Sequence, residues 1–153
     1  MSDNFVYLIP EEPGLVPDEA KQEAVVTYFR NIAPKAGAIT TSVSDSVEFI
    51  HCGANFGKIL CPSCGTVVRV DQWSDWMDQD FQGKGKGFVL PKHVLPCCGA
   101  LHSLHDLNYE WPMGFGRFMV CAEDPNIGKL SDEQRGRFAA ILGCAVRIIY
   151  EHR

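Results

Sequence analysis

Apolar and polar positions follow one rhythm before residue 51 and after residue 112, and a different one between them. Near the start, Phe5-Val6-Tyr7-Leu8-Ile9 is a short apolar run rich in β-branched and aromatic residues, closed by Pro10 and a Glu-Glu-Pro-Gly turn; it predicts a buried strand. Pro17 and Asp18 offer a helix start, and Ala20, Ala24, Val25, Tyr28, Phe29 and Ile32 follow at helical spacing until Pro34 and Gly37 break the pattern. Residues 38–50, rich in Thr, Val and Ile, predict extended chain that turns or bulges at Ser44-Asp45-Ser46, with Val47 to Ile50 as the second strand. The same rhythm returns at Phe115 to Ala122, an alternating run that predicts a third strand. Ser131 with Gln134 three residues on is a capping box; Leu130 can pack against the start of the helix it opens, and Phe138, Ile141 and Leu142 give that helix an apolar face. Gly143 ends it, and Ala145 to Tyr150 supplies a fourth strand.

The order strand-helix-strand, twice, predicts an α+β protein of the ferredoxin-like split β-α-β plan: a four-stranded antiparallel sheet with both helices on one face. Residues 1–50 and 113–153 would form this domain and residues 51–112 an inserted module. The insertion holds two Cys turns, all three tryptophans and the Gly83-Lys84-Gly85-Lys86-Gly87 stretch. Within it, Thr66 to Val70 reads as a strand and Gln72 to Phe81 as a short helix carrying Trp73, Trp76 and Met77. Phe88 to Leu90 and His93 to Leu95 read as extended chain leading back to the second Cys turn.

Composition narrows the class. With 46% hydrophobic and 22% charged residues the chain can bury a core, which argues against disorder. No run approaches the roughly 18 apolar residues of a membrane helix, and Met1-Ser2-Asp3-Asn4 lacks a signal peptide's basic start, so a cytoplasmic location without membrane contact is expected. The net charge of -5 is concentrated early: residues 1–50 carry eight acids against three bases. That distribution disfavours a phosphate-backbone footprint and makes a protein partner with a basic surface the more natural expectation.

Cysteines carry the chemistry. An odd number, seven, without an export signal reads as reduced thiols rather than disulfides. Cys61-Pro62-Ser63-Cys64-Gly65 and Pro96-Cys97-Cys98-Gly99 set four thiols in two glycine-ended turns, the shape of a site for Zn²⁺, which takes four sulfurs at about 2.3 Å in a tetrahedron. Between Cys64 and Cys97 lie 32 residues, an interval that reads as a zinc ribbon with a helical excursion. Cys61, Cys64, Cys97 and Cys98 are the first choice of ligands. Adjacent cysteines must bend sharply to share a metal, so Cys52 and His102 stand as alternates. Cys121 and Cys144, among apolar neighbours, read as core residues.

Other features support chemistry less well. His102, His105 and Asp106 suggest a hydrolytic metal, but four thiolates leave no open coordination position and no zincin helix is present. Gly83 to Gly87 lacks the strand-to-helix setting of a phosphate loop and reads as a hairpin tip. Trp73, Trp76 and Trp111 fit core packing better than a binding surface.

Asn4 to Pro10, the stretch from Phe49 to Phe56, the two Cys turns, and Leu107 to Pro112 running on to Phe118 together resemble small uncharacterised bacterial cytoplasmic proteins with a CPxCG…PCCG zinc-ribbon signature. The resemblance covers almost the whole chain. It implies a bacterial source and a zinc ribbon, and brings no catalytic residue with it. Three functions follow as expectations: a non-catalytic protein-interaction module, by analogy an immunity protein or toxin antagonist; a nucleic-acid-binding zinc ribbon; and a zinc hydrolase or a thiol redox enzyme using Cys61 and Cys64.

Overall fold

The computed structural model describes residues 4–153. Strand β1 (Asn4–Pro10) leads to helix α1 (Glu19–Ile32), whose first turn is capped by Asp18, its carboxylate accepting the Lys21 N–H at 2.9 Å. Strand β2 (Ile39–Ile50) follows. Between residues 51 and 113 lie short strand β3 (Ile59–Leu60), helix α2 (Val70–Asp80), strands β4 (His93–Val94) and β5 (Leu101–His102), a 3₁₀ turn (Leu104–Asp106) and strand β6 (Asn108–Tyr109). Strand β7 (Gly114–Glu123), helix α3 (Asp132–Leu142) and strand β8 (Val146–His152) complete the chain.

The α+β class and the four-stranded antiparallel sheet expected from the sequence are present. The sheet runs β2-β7-β1-β8, with Tyr7 opposite Cys121 on one side and Ile149 on the other. Residue parity along β1 and β7 then sorts side chains between the two faces. Val6, Leu8, Phe118, Val120 and Ala122 face α1 and α3, where Phe29 and Phe138 are fully buried with ring centres 5.0 Å apart. Burying each such ring stabilises the fold by about 1.5–3 kcal/mol.

The opposite face is covered in part by the insertion. Tyr7, Ile9, Phe115 and Ile149 share one apolar cluster with Ile59, Val68, Trp76, Leu95 and Leu104, so the inserted segment packs as a layer on the sheet. Polar contacts help hold it there. Leaving β2, the chain crosses this face to reach β8, where Gly53 bridges His152 and the Ala54 N–H donates to the His152 carbonyl at 2.6 Å. On the other side His105 is buried, donating from Nε2 to the Glu11 carbonyl (2.6 Å) and accepting the Phe115 N–H at Nδ1 (3.1 Å). Arg147 lies against it, donating to the Met113 carbonyl and gripping both Glu11 carboxylate oxygens at 2.8 Å.

Two expectations are revised. The extended stretch that follows Gly37 forms one strand over Ile39–Ile50, and the polar Ser-Asp-Ser segment is a bulge within it: pairing with β7 shifts register between Val43 and Glu48. Thr66 to Val70 forms no strand. Val67 makes a single bridge to Leu60, and α2 begins at Val70, earlier than expected.

Candidate metal centre

The two Cys turns are built to one plan. In the first, the Cys61 N–H donates to the Thr66 carbonyl (2.8 Å) and the Gly65 N–H returns to the Cys61 carbonyl (2.9 Å). In the second, the Leu95 N–H donates to the Ala100 carbonyl (2.9 Å) and the Gly99 N–H to the Leu95 carbonyl (2.8 Å). Gly65 and Gly99 hold φ of 76° and 77°, a left-handed conformation that any Cβ would strain. Flanking pairs match too: Leu60 bridges Val67, and Val94 pairs with Leu101.

Superimposing the two patterns places Leu95 where the first turn has Cys61, Pro96 at Pro62, Cys97 at Ser63 and Cys98 at Cys64. Cys61 and Leu95 are both buried. The second turn therefore keeps a leucine where its twin has a thiol, and supplies its other sulfur from the position after the proline. The signal for this kinship lay in the sequence, as Leu-Cys-Pro-Ser-Cys-Gly against Val-Leu-Pro-Cys-Cys-Gly; the missing cysteine at position 95 hid it.

These turns bring the sulfurs of Cys61, Cys64, Cys97 and Cys98 within 4.8 Å of one another. Cys61 Sγ lies 3.7 Å from Cys98 Sγ, and Cys64 Sγ lies 3.3 Å from Cys97 Sγ. Sulfurs at the corners of a tetrahedron with bonds of about 2.3 Å stand roughly 3.8 Å apart. The four thiols can thus hold a metal ion with only small adjustments. Cys61 forms the buried floor, and the other three are exposed at the rim.

Local hydrogen bonding selects where the first negative charge settles. The Thr66 hydroxyl, 3.2 Å from Cys64 Sγ, and the Thr66 backbone favour a thiolate there and bring its pKa down to about 6. Cys97, beside that sulfur, keeps its proton and is pushed up to about 12, and Cys98 is also raised. A cation arriving at the cluster would displace those protons.

The alternates lie elsewhere. Cys52 is fully buried in the apolar layer between sheet and insertion, with its thiol pKa raised by burial, and is not part of the sulfur cluster. His102 flanks the site without joining it, its Nε2 lying 2.7 Å from the Ser63 hydroxyl in the first turn. Of the remaining histidine-acid set, His105 is committed to the sheet as described, while Asp106 accepts from the Ser103 hydroxyl at 3.0 Å. These groups do not converge on one point. A pair that sequence reasoning passed over, buried Asp80 and half-buried His93, joins the end of α2 to β4 at 2.7 Å, with Trp76 stacked on the imidazole. Trp76 is buried and Trp73 donates to the Tyr109 hydroxyl at 3.1 Å; Trp111 is half-buried against the same cluster.

No family model, curated protein or solved structure matches this chain. Among the described residues no helix is long and apolar enough to cross a membrane.

Proposed function

We propose that this chain is a zinc-stapled, non-catalytic protein-interaction module. The observation that carries it is the convergence of four sulfurs on twin turns beside uncovered apolar residues. Four thiolates match zinc's preference and close its coordination sphere, which leaves no position for substrate or water. Next to the cluster, Val94 and Leu101 on the β4–β5 hairpin are 62% and 54% exposed, and Val67 and Val70 are 53% and 52% exposed. Exposed apolar groups on the two turns and the start of α2 suit a partner surface. Asp75 and Asp78 stand exposed on neighbouring α2, which favours a basic partner.

The strand order and the two helices on one face support a ferredoxin-like reading of the sheet, and the paired turns support a zinc ribbon like that of the small bacterial proteins whose signature the chain resembles. An immunity or toxin-antagonist role belongs to the same proposal by analogy. Nucleic-acid binding finds less support: of the aromatics a stacking surface would need, Tyr7, Phe115 and Phe118 are buried, and Phe5 is half-buried with the Arg153 guanidinium over its ring.

Metal and partner are tested separately. Purified protein should carry one zinc per chain. Cys97→Ser should lose it, and Leu95→Cys combined with Cys97→Ser should regain it by restoring the first turn's arrangement. A Cys97→Ser variant with undiminished zinc content and affinity would exclude the proposed ligand set. For the partner, a Val94→Asp/Leu101→Asp variant that keeps its zinc should fail to retain the protein captured by the wild type from its native extract. Equal capture by both would overturn the interaction surface.

A further inference from the structure

The twin turns differ at one place, and that difference sets which sulfurs meet solvent. Cys61 and Leu95 hold equivalent positions and are 1% and 0% exposed. A second turn with its sulfur at position 95 would place two of the four ligands in the buried floor. Leucine there moves that sulfur to Cys97, past Pro96 and out to the rim, so that Cys64, Cys97 and Cys98 are exposed and only Cys61 is buried. Buried structural cysteines are inert, whereas exposed thiolates beside a second thiol are the ones that oxidise. We propose that Cys64 and Cys97 are a modification site, at which a hydroperoxide turns the two thiolates into a disulfide and expels the metal. This rests on the zinc reading above and adds a regulation to the same cluster.

Geometry selects the pair. Cys64 Sγ and Cys97 Sγ lie 3.3 Å apart and would close to about 2.05 Å in a disulfide. They stand on different turns, so the bond would tie one turn to the other. Cys97 and Cys98 are poorer partners for each other, because adjacent Cα atoms across a trans peptide lie about 3.8 Å apart, below the usual disulfide range of about 4.4–6.8 Å. The sulfur 3.7 Å from Cys98 is that of Cys61, which peroxide cannot reach from solvent.

The reaction balances with one hydroperoxide. The Cys64 thiolate attacks a peroxide oxygen; an S–O bond forms, the O–O bond breaks, and the departing alkoxide, or hydroxide from hydrogen peroxide, takes a proton from water. The Cys97 thiolate then attacks the sulfenic sulfur, forming the S–S bond and expelling hydroxide, which is protonated in turn. Two thiolates thus give two electrons, and the hydroperoxide becomes an alcohol and a water, or two waters. Cys61 and Cys98 alone cannot close a four-ligand sphere, so the metal leaves and both take up protons.

The test uses the full chain loaded with zinc, its metal content measured first. Hydrogen peroxide is added at neutral pH, released zinc is read with a chromogenic chelator, and the cysteines are mapped by alkylation and mass spectrometry. One zinc should leave for every two thiols lost, the disulfide should map to Cys64 and Cys97, and dithiothreitol with added zinc should restore the starting content. Leu95→Cys combined with Cys97→Ser, which moves the sulfur to the buried position, should release zinc at least about tenfold more slowly. Zinc kept while peroxide consumes thiols, zinc lost without thiol loss, a disulfide at another pair, oxidation that dithiothreitol does not reverse, or equal release from the variant would each overturn the proposal. If the variant holds no zinc, the wild-type map decides. A wild-type chain that takes up no zinc would overturn the zinc reading instead; the map of the metal-free chain then decides the modification site, which a Cys64–Cys97 disulfide supports and any other pairing removes.

Discussion

His105 joins the inserted layer to the sheet only as long as it stays neutral. With Nε2 donating to a carbonyl and Nδ1 accepting an amide proton, a second ring proton has no acceptor, and burial together with the nearby Arg147 guanidinium lowers its pKa below the ordinary 6.5. Because the unfolded chain takes up that proton more readily than the folded one, this contribution is complete above about pH 6.5 and is lost as pH falls toward the lower folded value. Glu11 acts in a separate window: Arg147 holds its carboxyl below the ordinary 4.5, so its contribution survives until more acidic pH. Urea midpoints measured between about pH 7 and 5 should therefore decline, and His105→Gln, though less stable at neutral pH, should flatten the decline. An unchanged slope in that variant would show that some other group titrates.

Among the elements, the β2 bulge meets the hairpin that carries Gly83 to Gly87. Phe81 bridges Phe88, and the Phe88 N–H donates to the Val47 carbonyl at 2.9 Å. Gly87 has φ of 63° directly against that carbonyl, whereas Gly85, with φ of 81°, faces open space. Gly85→Ala should cost about 1 kcal/mol from backbone strain alone, and Gly87→Ala about 2–3 kcal/mol because the added methyl also collides with Val47. Equal losses in denaturant unfolding would mean that the hairpin is not docked there. The sequence made the long elements legible because their signals are local: the Ser131–Gln134 capping box forms as written, and Gly143 ends α3 at φ 72°. It was less informative where tertiary contacts decide. Thr66 to Val70 has strand composition, but only Thr66, Val67 and Val68 find partners across the turn, and Val70 is taken into α2. Likewise the four clustered cysteines could be read from spacing, whereas the equivalence of Leu95 and Cys61 needed the backbone hydrogen bonds.

At the scale of the whole molecule, helices, sheet and inserted layer are stacked, and the sheet contributes to the apolar clusters on both of its faces. If zinc binds only the folded state, stability should rise by about 1.4 kcal/mol for each tenfold increase in free zinc above the dissociation constant. Chelation should lower the melting temperature, and loss of amide protection should concentrate in the two turns, at residues 59–68 and 93–102, while Phe29 and Phe138 keep the helical face closed. A melting temperature indifferent to zinc would separate the metal from the fold. The sheet's edges bear on how the protein behaves when crowded. Beside β8, the Gly53 bridge and the Cys52 carbonyl occupy part of the backbone that would otherwise be open, while β2, twelve residues long, forms the other edge and is met there by the Phe88 N–H at the Val47 carbonyl. An edge that long, if flat, is a template onto which another chain's strand can add. The bulge interrupts its regular spacing and Asp45 and Glu48 place charge along it, so the irregularity in β2 guards the protein against polymerising through its own sheet.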